Sequence, residues 1–511
     1  MKTSPTEIYN EYSNGIEYNT SVGLYDTVLR NNKFYNGDQW GEVNAPDLDK
    51  PVFNILKLAV NYDLTQLISD DFAISVEIKK GINDETDAIL PYVIKAEVDH
   101  VIEQAKIKLK NRTMLKNCIV DGDGCHFIRF DSKAYTGFDF KGAIDVEVID
   151  NTNVIFGKPN EPDPQKQPYI LIVYRRLTDS VQEEAKENKQ TGEIKPDDPE
   201  YYPIQGTNSN KYTTVILKMW KENGLVCYTK VTKDAVVKPI TKPGYRLYPV
   251  PYMTWERVKN SYHGMSPLSA VINNQKFINK LYAMAMMFTQ KMAFPKLLYD
   301  MNKLPQGWDN KIGKAIGVNG NPNDAIFANF ASADMSASVP NLIMSTIEQT
   351  KQMLGVHDTA LGQADNVSRT ASSTVMMLQK AASSQLEVQR LDFKSFIEDE
   401  IRIIVDMMRV HYGKRPVVLS DMDGSTRIVD FDFRDLEKYV FNLNIEIGSS
   451  AYWDEIMQNQ TLNNMMQMGI LDPVAAITAV PSGALRNKDQ IIEHIKTLQE
   501  QAIQGVPNEN M

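Results

Sequence analysis

The sequence has 511 residues, of which 42% are hydrophobic and 23% charged, and its formal net charge is −10. A chain of this length exceeds one ordinary hydrophobic core, so we expect a globular protein with several domains. The acidic balance argues against a protein that grips DNA by itself, since such proteins are usually basic. An acidic protein can still surround DNA without adhering to it, because like charges repel.

The sequence contains three cysteines, an odd and small number. We therefore expect no disulfide framework, and synthesis in a reducing cytoplasm. The N-terminal residues lack the apolar core of a secretory signal. The least polar helical run, residues 281–288, is bounded by Lys280 and Lys291. It is far shorter than the roughly 20 residues that a bilayer span needs, so we expect no membrane segment.

Hydrophobic periodicity predicts the elements of the first half of the chain. Residues 1–40 are expected to be helical and to end in the aromatic segment NNKFYNGDQW, whose Phe34, Tyr35 and Trp40 suggest a local anchor. The following elements are a helix at 51–68, a strand at 72–80, one long helix at 86–120, a sheet over 125–176, a short helix at 178–189, and a hairpin of residues 213–220 and 224–231.

Helix signals dominate the second half. Ser266 can cap a helix over residues 266–294, and Pro267 stands at the first helical position, where its missing N–H is tolerated. A second helix is predicted at 340–354, with Gly355 suited to the turn that ends it. A polar loop then leads into one long helix at 371–412. Strands are predicted at 416–419, 428–433 and 439–447, followed by a helical C-terminal part at 451–504.

Motifs for catalysis or metal binding are missing from the sequence. The six histidines are scattered, and no His or Cys pair has the spacing of a zinc site. DGDG at 121–124 lacks the later glutamate of a calcium loop, and it suits a turn that ends a helix. GMSPL at 264–268 is not a nucleophile elbow, and no phosphate-binding glycine motif occurs. We therefore expect no enzymatic activity, no cofactor and no metal.

The helix at 266–294 carries Lys276, Lys280 and Lys291 and no acidic residue between Pro267 and Phe294. Lys276 and Lys280 are one turn apart and share a face. This face is either simply solvated or, in a ring of subunits, directed at a polyanion. In the second case a few such contacts per subunit would steady a phosphate backbone without reading bases.

The order of these elements resembles the portal proteins of tailed bacteriophages. The likeness is carried by NNKFYNGDQW followed by PVFNILKLAVNY, by HGMSPLSAVINNQKFINKL, and by LGVHDTALGQADNVSRTASSTVMMLQKAASSQLEVQR. It covers most of the chain, although each motif is a loose pattern. The resemblance implies an α+β, mainly helical subunit with wing, stem, clip and crown. Such subunits form a ring, usually a dodecamer, around a central channel.

The resemblance also implies a division of the chain. Residues 1–263 would form the wing, with a β-rich part at 125–255. The other parts would be stem helix 1 at 264–294, the clip at 295–339, stem helix 2 at 340–355, the tunnel loop at 356–370, the long wing helix at 371–413, wing strands at 414–450, and a short helical crown at 451–511.

The implied function is a channel for packaging and ejecting double-stranded genomic DNA at one capsid vertex, in the virion and, during assembly, in the host cytoplasm. Implied partners are the large terminase, head-completion or adaptor proteins, and the major capsid and scaffolding proteins. Site residues expected on this basis are Lys276, Lys280 and Lys291 for the DNA channel; His357, Asp358, Gly362, Asp365, Asn366 and Arg369 for the tunnel loop; and Tyr299, Trp308, Phe327 and Phe330 for the clip interface. Two alternatives stay open: a structural adaptor of the virion that forms no ring, and a nucleic-acid-processing enzyme with a diffuse carboxylate site.

Overall fold

A computed structural model of the chain describes most residues up to 447. The described ranges are 3–41, 43–46, 48–68, 72–80, 84–135, 141–199, 211–293, 296–305, 317–321, 323, 326–330, 338–356, 384–420 and 426–447. Except for Val356, the predicted tunnel loop lies outside these ranges, and so does the predicted crown.

Helices and strands share the described chain, so the predicted mixed α and β character is confirmed, although the helical share is only moderate. The helices are α1 (Pro5–Ser21), α2 (Leu24–Asn36), α3 (Ile55–Leu67), α4 (Asp84–Gln104), α5 (Ile107–Asp121), α6 (Thr178–Glu187), α7 (Pro267–Ala293), α8 (Ser338–Met353) and α9 (Glu387–His411).

The described strands form five antiparallel sheets. They are β1 (Phe72–Lys80), β2 (Asp123–Tyr135), β3 (Lys141–Ile149), β4 (Val154–Phe156), β5 (Tyr169–Leu177), β6 (Tyr212–Glu222), β7 (Leu225–Val231), β8 (Val236–Thr241), β9 (Tyr252–Thr254), β10 (Lys296–Tyr299), β11 (Ile326–Phe330), β12 (Lys414–Ser420), β13 (Thr426–Asp432) and β14 (Val440–Ile447). The sheet orders are β3-β2-β9, β4-β5-β6-β7-β8, β1-β14, β10-β11 and β12-β13.

Three predicted elements differ from the structure. The single helix predicted at 86–120 is two helices, because the chain breaks at Lys106, which has a left-handed φ of 52°. The single sheet predicted at 125–176 is divided, since β2 and β3 pair with β9 whereas β4 and β5 join the five-stranded sheet. In the described part of the long helix predicted at 371–412, a 3₁₀ turn (Ser384–Leu386) precedes α9.

The five-stranded sheet is covered by a helix on each face. On one face, Ile8 and Tyr12 of α1 pack on Ile155, Leu171 and Ile216, all buried. The other face holds a second cluster, in which α6 and its neighbours contribute Val181, Ala185, Ile194, Val215, Ala235 and Val237. The consecutive residues Val215 and Ile216 of β6 therefore enter two different cores, as expected for a strand buried on both sides.

Contacts divide the chain into two compact units. The first unit comprises Met1–Tyr25, Asp63–Met265 and Leu386–Met511, and the second comprises Asp26–Tyr62 and Ser266–Gln385. Residues 26–62, which the sequence analysis groups with 1–263, thus make their contacts with the segment that follows Ser266. In the described part of the chain, every helix is too short or too polar to cross a lipid bilayer.

Candidate functional site

The start of α7 follows the prediction from the sequence. The N–H of Leu268 donates to Oγ of Ser266 at 3.2 Å, so Ser266 caps the helix, and Pro267 is its first residue. The hydroxyl satisfies one of the backbone donors that a helix leaves open at its N-terminus.

Helices α7 and α8 pack against each other in opposite directions. Near the start of α7, Nδ2 of Asn274 donates to Oγ1 of Thr350 near the end of α8, at 3.4 Å. Between the helices in the chain lies the hairpin β10–β11, in which Lys296 is opposite Phe330. Gly355 ends α8 as predicted. Its φ of 72° lets the N–H of Val356 donate a hydrogen bond to the carbonyl oxygen of Lys351. Helices α7 and α8 are therefore an antiparallel pair, and the strand pair β10–β11 lies between them in the chain.

One face of α7 is covered by residues 31–55 of the same unit through buried polar contacts. Gln275 accepts from the N–H of Ile55 at 3.1 Å and donates to the carbonyl of Phe53 at 2.7 Å. One turn later, Nδ2 of Asn279 donates to Oε1 of Gln39 at 2.6 Å. Both α7 amides are buried and hydrogen-bonded, so they fix the register of residues 31–55 on the helix.

Another face of α7 is exposed although it carries large apolar side chains. Phe277 is 45% exposed and Met284 59%, and Met287 is exposed as well. At about 100° per residue, Phe277 and Met284 lie roughly 20° apart around the helix, and Lys280 and Met287 form a second pair roughly 60° away. We call the first pair the apolar flank and the second the lysine flank. Apolar surface of this kind marks an interaction site in many soluble proteins.

The predicted channel lysines occupy different surroundings. Nζ of Lys276 lies 5.4 Å from the ring centroid of Phe34, and the side chain is half-buried. Lys280 is exposed. Lys291 belongs to the last turn of α7, but its side chain is not among those that the structure describes. Phe34 and Tyr35 are buried, and Nε1 of Trp40 donates to the carbonyl of Pro51 at 2.9 Å.

The other predicted site residues are only partly described. Tyr299 is the last residue of β10, and Phe327 and Phe330 belong to β11, so these three belong to the strand pair between α7 and α8 in the chain. Trp308 and the predicted tunnel-loop residues lie outside the described residues, and they stay predictions. The latter are His357, Asp358, Gly362, Asp365, Asn366 and Arg369.

A buried polar cluster in the first unit was missed by the sequence analysis. Asp123 follows Gly122, the left-handed residue that ends α5, and its Oδ2 accepts from Nδ1 of His263 at 2.6 Å. The same oxygen accepts from the hydroxyl of Tyr252 at 2.5 Å, and Oδ1 accepts from Asn151. We call these residues, together with Asn19 and Tyr262, the Asp123 hub.

Asn19 and Tyr262 complete the Asp123 hub. Nε2 of His263 lies 3.0 Å from Oδ1 of Asn19, and the hydroxyl of Tyr262 donates to the same oxygen at 3.2 Å. Burial, and next the carboxylate of Asp123, raise the pKa of Tyr252 well above its ordinary value, so its hydroxyl remains a donor. Asn19, Asp123 and His263 are all buried. The cluster therefore holds the segment before α7 in place through buried hydrogen bonds.

Gly264 follows the hub histidine at a place without room for a side chain. A Cβ there would overlap the carbonyl oxygen of Gly122 and lie 2.9 Å from Cβ of Thr254. We expect Gly264→Ala to lower the free energy of unfolding by about 1–3 kcal/mol, the usual cost of overpacking. Urea denaturation measures this. Gly317→Ala, where the added carbon meets no described atom within 4 Å, is the control; equal stability of the two variants would contradict the expectation.

Comparisons with known proteins identify no family: no protein-family model and no curated protein matches the chain. Within the described ranges, no group of three or more His, Cys, Asp or Glu side chains is arranged to hold a metal ion.

Proposed function

We propose that this chain is the portal subunit of a tailed bacteriophage. It assembles into a ring whose central channel conducts genomic DNA during packaging and ejection, and it does so without enzymatic activity. The observation that carries the proposal is the antiparallel pair α7–α8, which is joined through β10–β11 and has an exposed apolar flank. Terminase, head-completion proteins, and capsid and scaffolding proteins are the partners that this function requires.

Assembly into a ring accounts for the apolar flank. One face of α7 is occupied by residues 31–55 and another by α8, so Phe277 and Met284 are available to a neighbour. Burying a large apolar side chain contributes about 1.5–3 kcal/mol, and each subunit of a ring gains this at its interface.

Charge supports a conduit rather than a DNA-gripping protein. The chain is acidic, with a net charge of −10, and α7 contributes exposed Lys280 on its lysine flank. We infer that this flank faces the channel and that the apolar flank faces the neighbouring subunit. A few basic contacts per subunit would steady the DNA and still allow it to slide, since phosphate contacts carry no sequence information.

The direct test is the oligomeric state of the purified chain. Mass photometry is expected to give a closed oligomer, and end-on negative-stain images a ring with a central hole. A chain that stays monomeric at micromolar concentration, with added salt or scaffold, contradicts the proposal. Particles without a hole would favour the adaptor alternative, and metal-dependent cleavage of DNA would favour the enzyme alternative.

Reversing the charge of the predicted channel lysines is expected to separate conduction from assembly. Lys280→Glu should leave rings intact and reduce DNA packaging or retention, because an acid then faces the phosphates. Lys276→Glu should in addition lower stability by about 0.5–1 kcal/mol, since Lys276 loses its contact with the Phe34 ring. Ring counts and packaged DNA per particle are the measurements. Failure of ring formation with Lys280→Glu would instead assign Lys280 to the subunit interface.

A further inference from the structure

Exposed apolar side chains occur on another side of α7 as well, where the segment before α3 covers the helix. Phe53 is 45% exposed, Val52 39% and Met286 40%. The ring of Phe53 stacks on that of Tyr282 with the ring centroids 4.0 Å apart, and Tyr282 stands one helical turn before Met286. These four residues therefore form one continuous surface, which we call the Phe53 face.

The Phe53 face and the apolar flank lie on opposite sides of α7. At about 100° per residue, Met286 is roughly 180° from Phe277 around the helix axis. Lys280 lies between them, roughly 60° from Phe277 and roughly 120° from Met286. A helix α7 whose lysine flank points towards a channel therefore presents one apolar surface to each side.

Both surfaces occupy the same stretch of α7. The N–H of Phe53 donates to Oδ1 of Asn279 at 3.4 Å, and the carbonyl of Phe53 accepts from Nε2 of Gln275 at 2.7 Å. Phe53 is thus fixed beside residues 275–282, while the apolar flank extends over residues 277–284. Points that meet between neighbouring subunits of a ring have the same height along the rotation axis. With α7 along that axis, the two surfaces are placed to meet.

We propose that the apolar flank of one copy docks on the Phe53 face of the next copy, head to tail. This inference rests on the proposed function and adds the partner surface of the apolar flank. A contact between two different surfaces repeats around a ring, whereas a contact of the apolar flank with itself ends at a dimer. A second copy is the occupant that covers both surfaces of every subunit, because each subunit then has a neighbour on either side.

The apolar area of the two surfaces fits such a contact. At about 200 Å² for a large apolar side chain, the exposed fractions of Phe277 and Met284 leave roughly 200 Å² on the apolar flank, and the Phe53 face offers a similar area. One junction then buries roughly 400 Å² of apolar surface. A standard protein interface buries about 1,600 Å² in total, of which roughly 900 Å² is apolar. The two surfaces therefore supply nearly half of the apolar area that a stable interface needs.

The experiment crosslinks two single-cysteine variants of the full chain, Met284→Cys and Met286→Cys, which place a thiol on the apolar flank and on the Phe53 face. The native cysteines are buried, so a short bismaleimide reacts at the introduced thiols. The variants are co-expressed with tags of different size. We expect crosslinked heterodimers from the mixture and none from either variant alone. Met284→Cys with Leu109→Cys is the matched control, since Leu109 is exposed in α5 of the first unit, and it should give no crosslink.

A charge variant gives an independent measurement. Val52→Glu/Met286→Glu leaves the backbone hydrogen bonds of Phe53 in place, and it should raise the concentration needed for half-assembly at least about tenfold. Mass photometry measures this concentration, and an unchanged circular dichroism melt shows that the chain is folded.

Three results would overturn the head-to-tail contact. They are crosslinks of Met284→Cys to itself, crosslinks of equal yield in the Leu109→Cys control, and rings of the parent chain without the heterodimer crosslink. Rings that assemble equally well in Val52→Glu/Met286→Glu would contradict it too. Ring formation by the parent chain is scored separately. A parent chain without rings contradicts the proposed function and this inference together, whereas rings without the crosslink contradict this inference alone.

Discussion

Asp123→Ala is expected to lower the free energy of unfolding of the first unit by at least about 3 kcal/mol, because several buried hydrogen-bond donors lose their common acceptor. The carboxylate accepts hydrogen bonds from His263 and Tyr252 at 2.6 and 2.5 Å and a further one from Asn151. Removing it leaves these donors buried without an acceptor, and each uncompensated group costs about 1–3 kcal/mol. Urea denaturation followed by circular dichroism gives the change in the midpoint.

An exposed ion pair provides the control for Asp123→Ala. Nζ of Lys133 lies 3.1 Å from Glu187, but the two side chains are 79% and 66% exposed. Glu187→Ala should therefore change the free energy of unfolding by at most about 1 kcal/mol. Hydrogen exchange should also quicken at residues 256–264 in Asp123→Ala alone, because His263 lies within this segment. Similar losses in both variants would mean that the Asp123 hub adds little stability.

Local signals predicted the elements around α7 well. The signals are Ser266 and Pro267 at the start of α7 and Gly355 after α8. Each acts on backbone groups close to it in the sequence, so the local sequence suffices to predict where a helix begins or ends. The hairpin β6–β7 is similar, since Asn223 and Gly224 adopt φ values of 52° and 79° at its turn. Such positive angles are what a two-residue hairpin loop requires.

Distant contacts could not be predicted in this way. Asp123 and His263 are 140 positions apart, and nothing local to either residue selects the other. Gly122 suits a turn and Gly264 a close backbone approach, but neither glycine indicates which residue lies opposite it. The division between the β2–β3 and β4–β5 sheets likewise depends on pairings with β9 and β6, which hydrophobic periodicity does not encode.

The covered face of α7 shows a further limit of hydrophobic patterning. Gln275 and Asn279 are polar, and by composition they belong to a solvated face, whereas both are buried and bonded to residues 39–55. Phe277 and Met284 would be assigned to a core, and they are exposed. The pattern fails in both directions because it reports which side chains prefer burial, not which neighbours the fold supplies.

In the ring that we propose, Phe277→Glu/Met284→Glu is expected to abolish assembly and leave a folded monomer. Each substitution removes about 1.5–3 kcal/mol of apolar burial and places a carboxylate where desolvation is costly. Because the loss recurs at every interface of a closed ring, even a moderate change per subunit shifts the assembly equilibrium strongly. Mass photometry over a concentration series measures the size of the oligomer. A melting temperature equal to that of the parent protein, measured by circular dichroism, shows that the monomer is folded.

Leu109→Glu/Tyr135→Glu is the matched control for the apolar flank. Leu109 and Tyr135 are also exposed apolar residues, but they lie in α5 and β2 of the first unit. Their replacement adds the same charge and should leave assembly at the parent level. Rings that persist in Phe277→Glu/Met284→Glu would exclude the apolar flank as the subunit interface. Assembly would then have to use another surface, and the assignment of the lysine flank to the channel would lose its geometric basis.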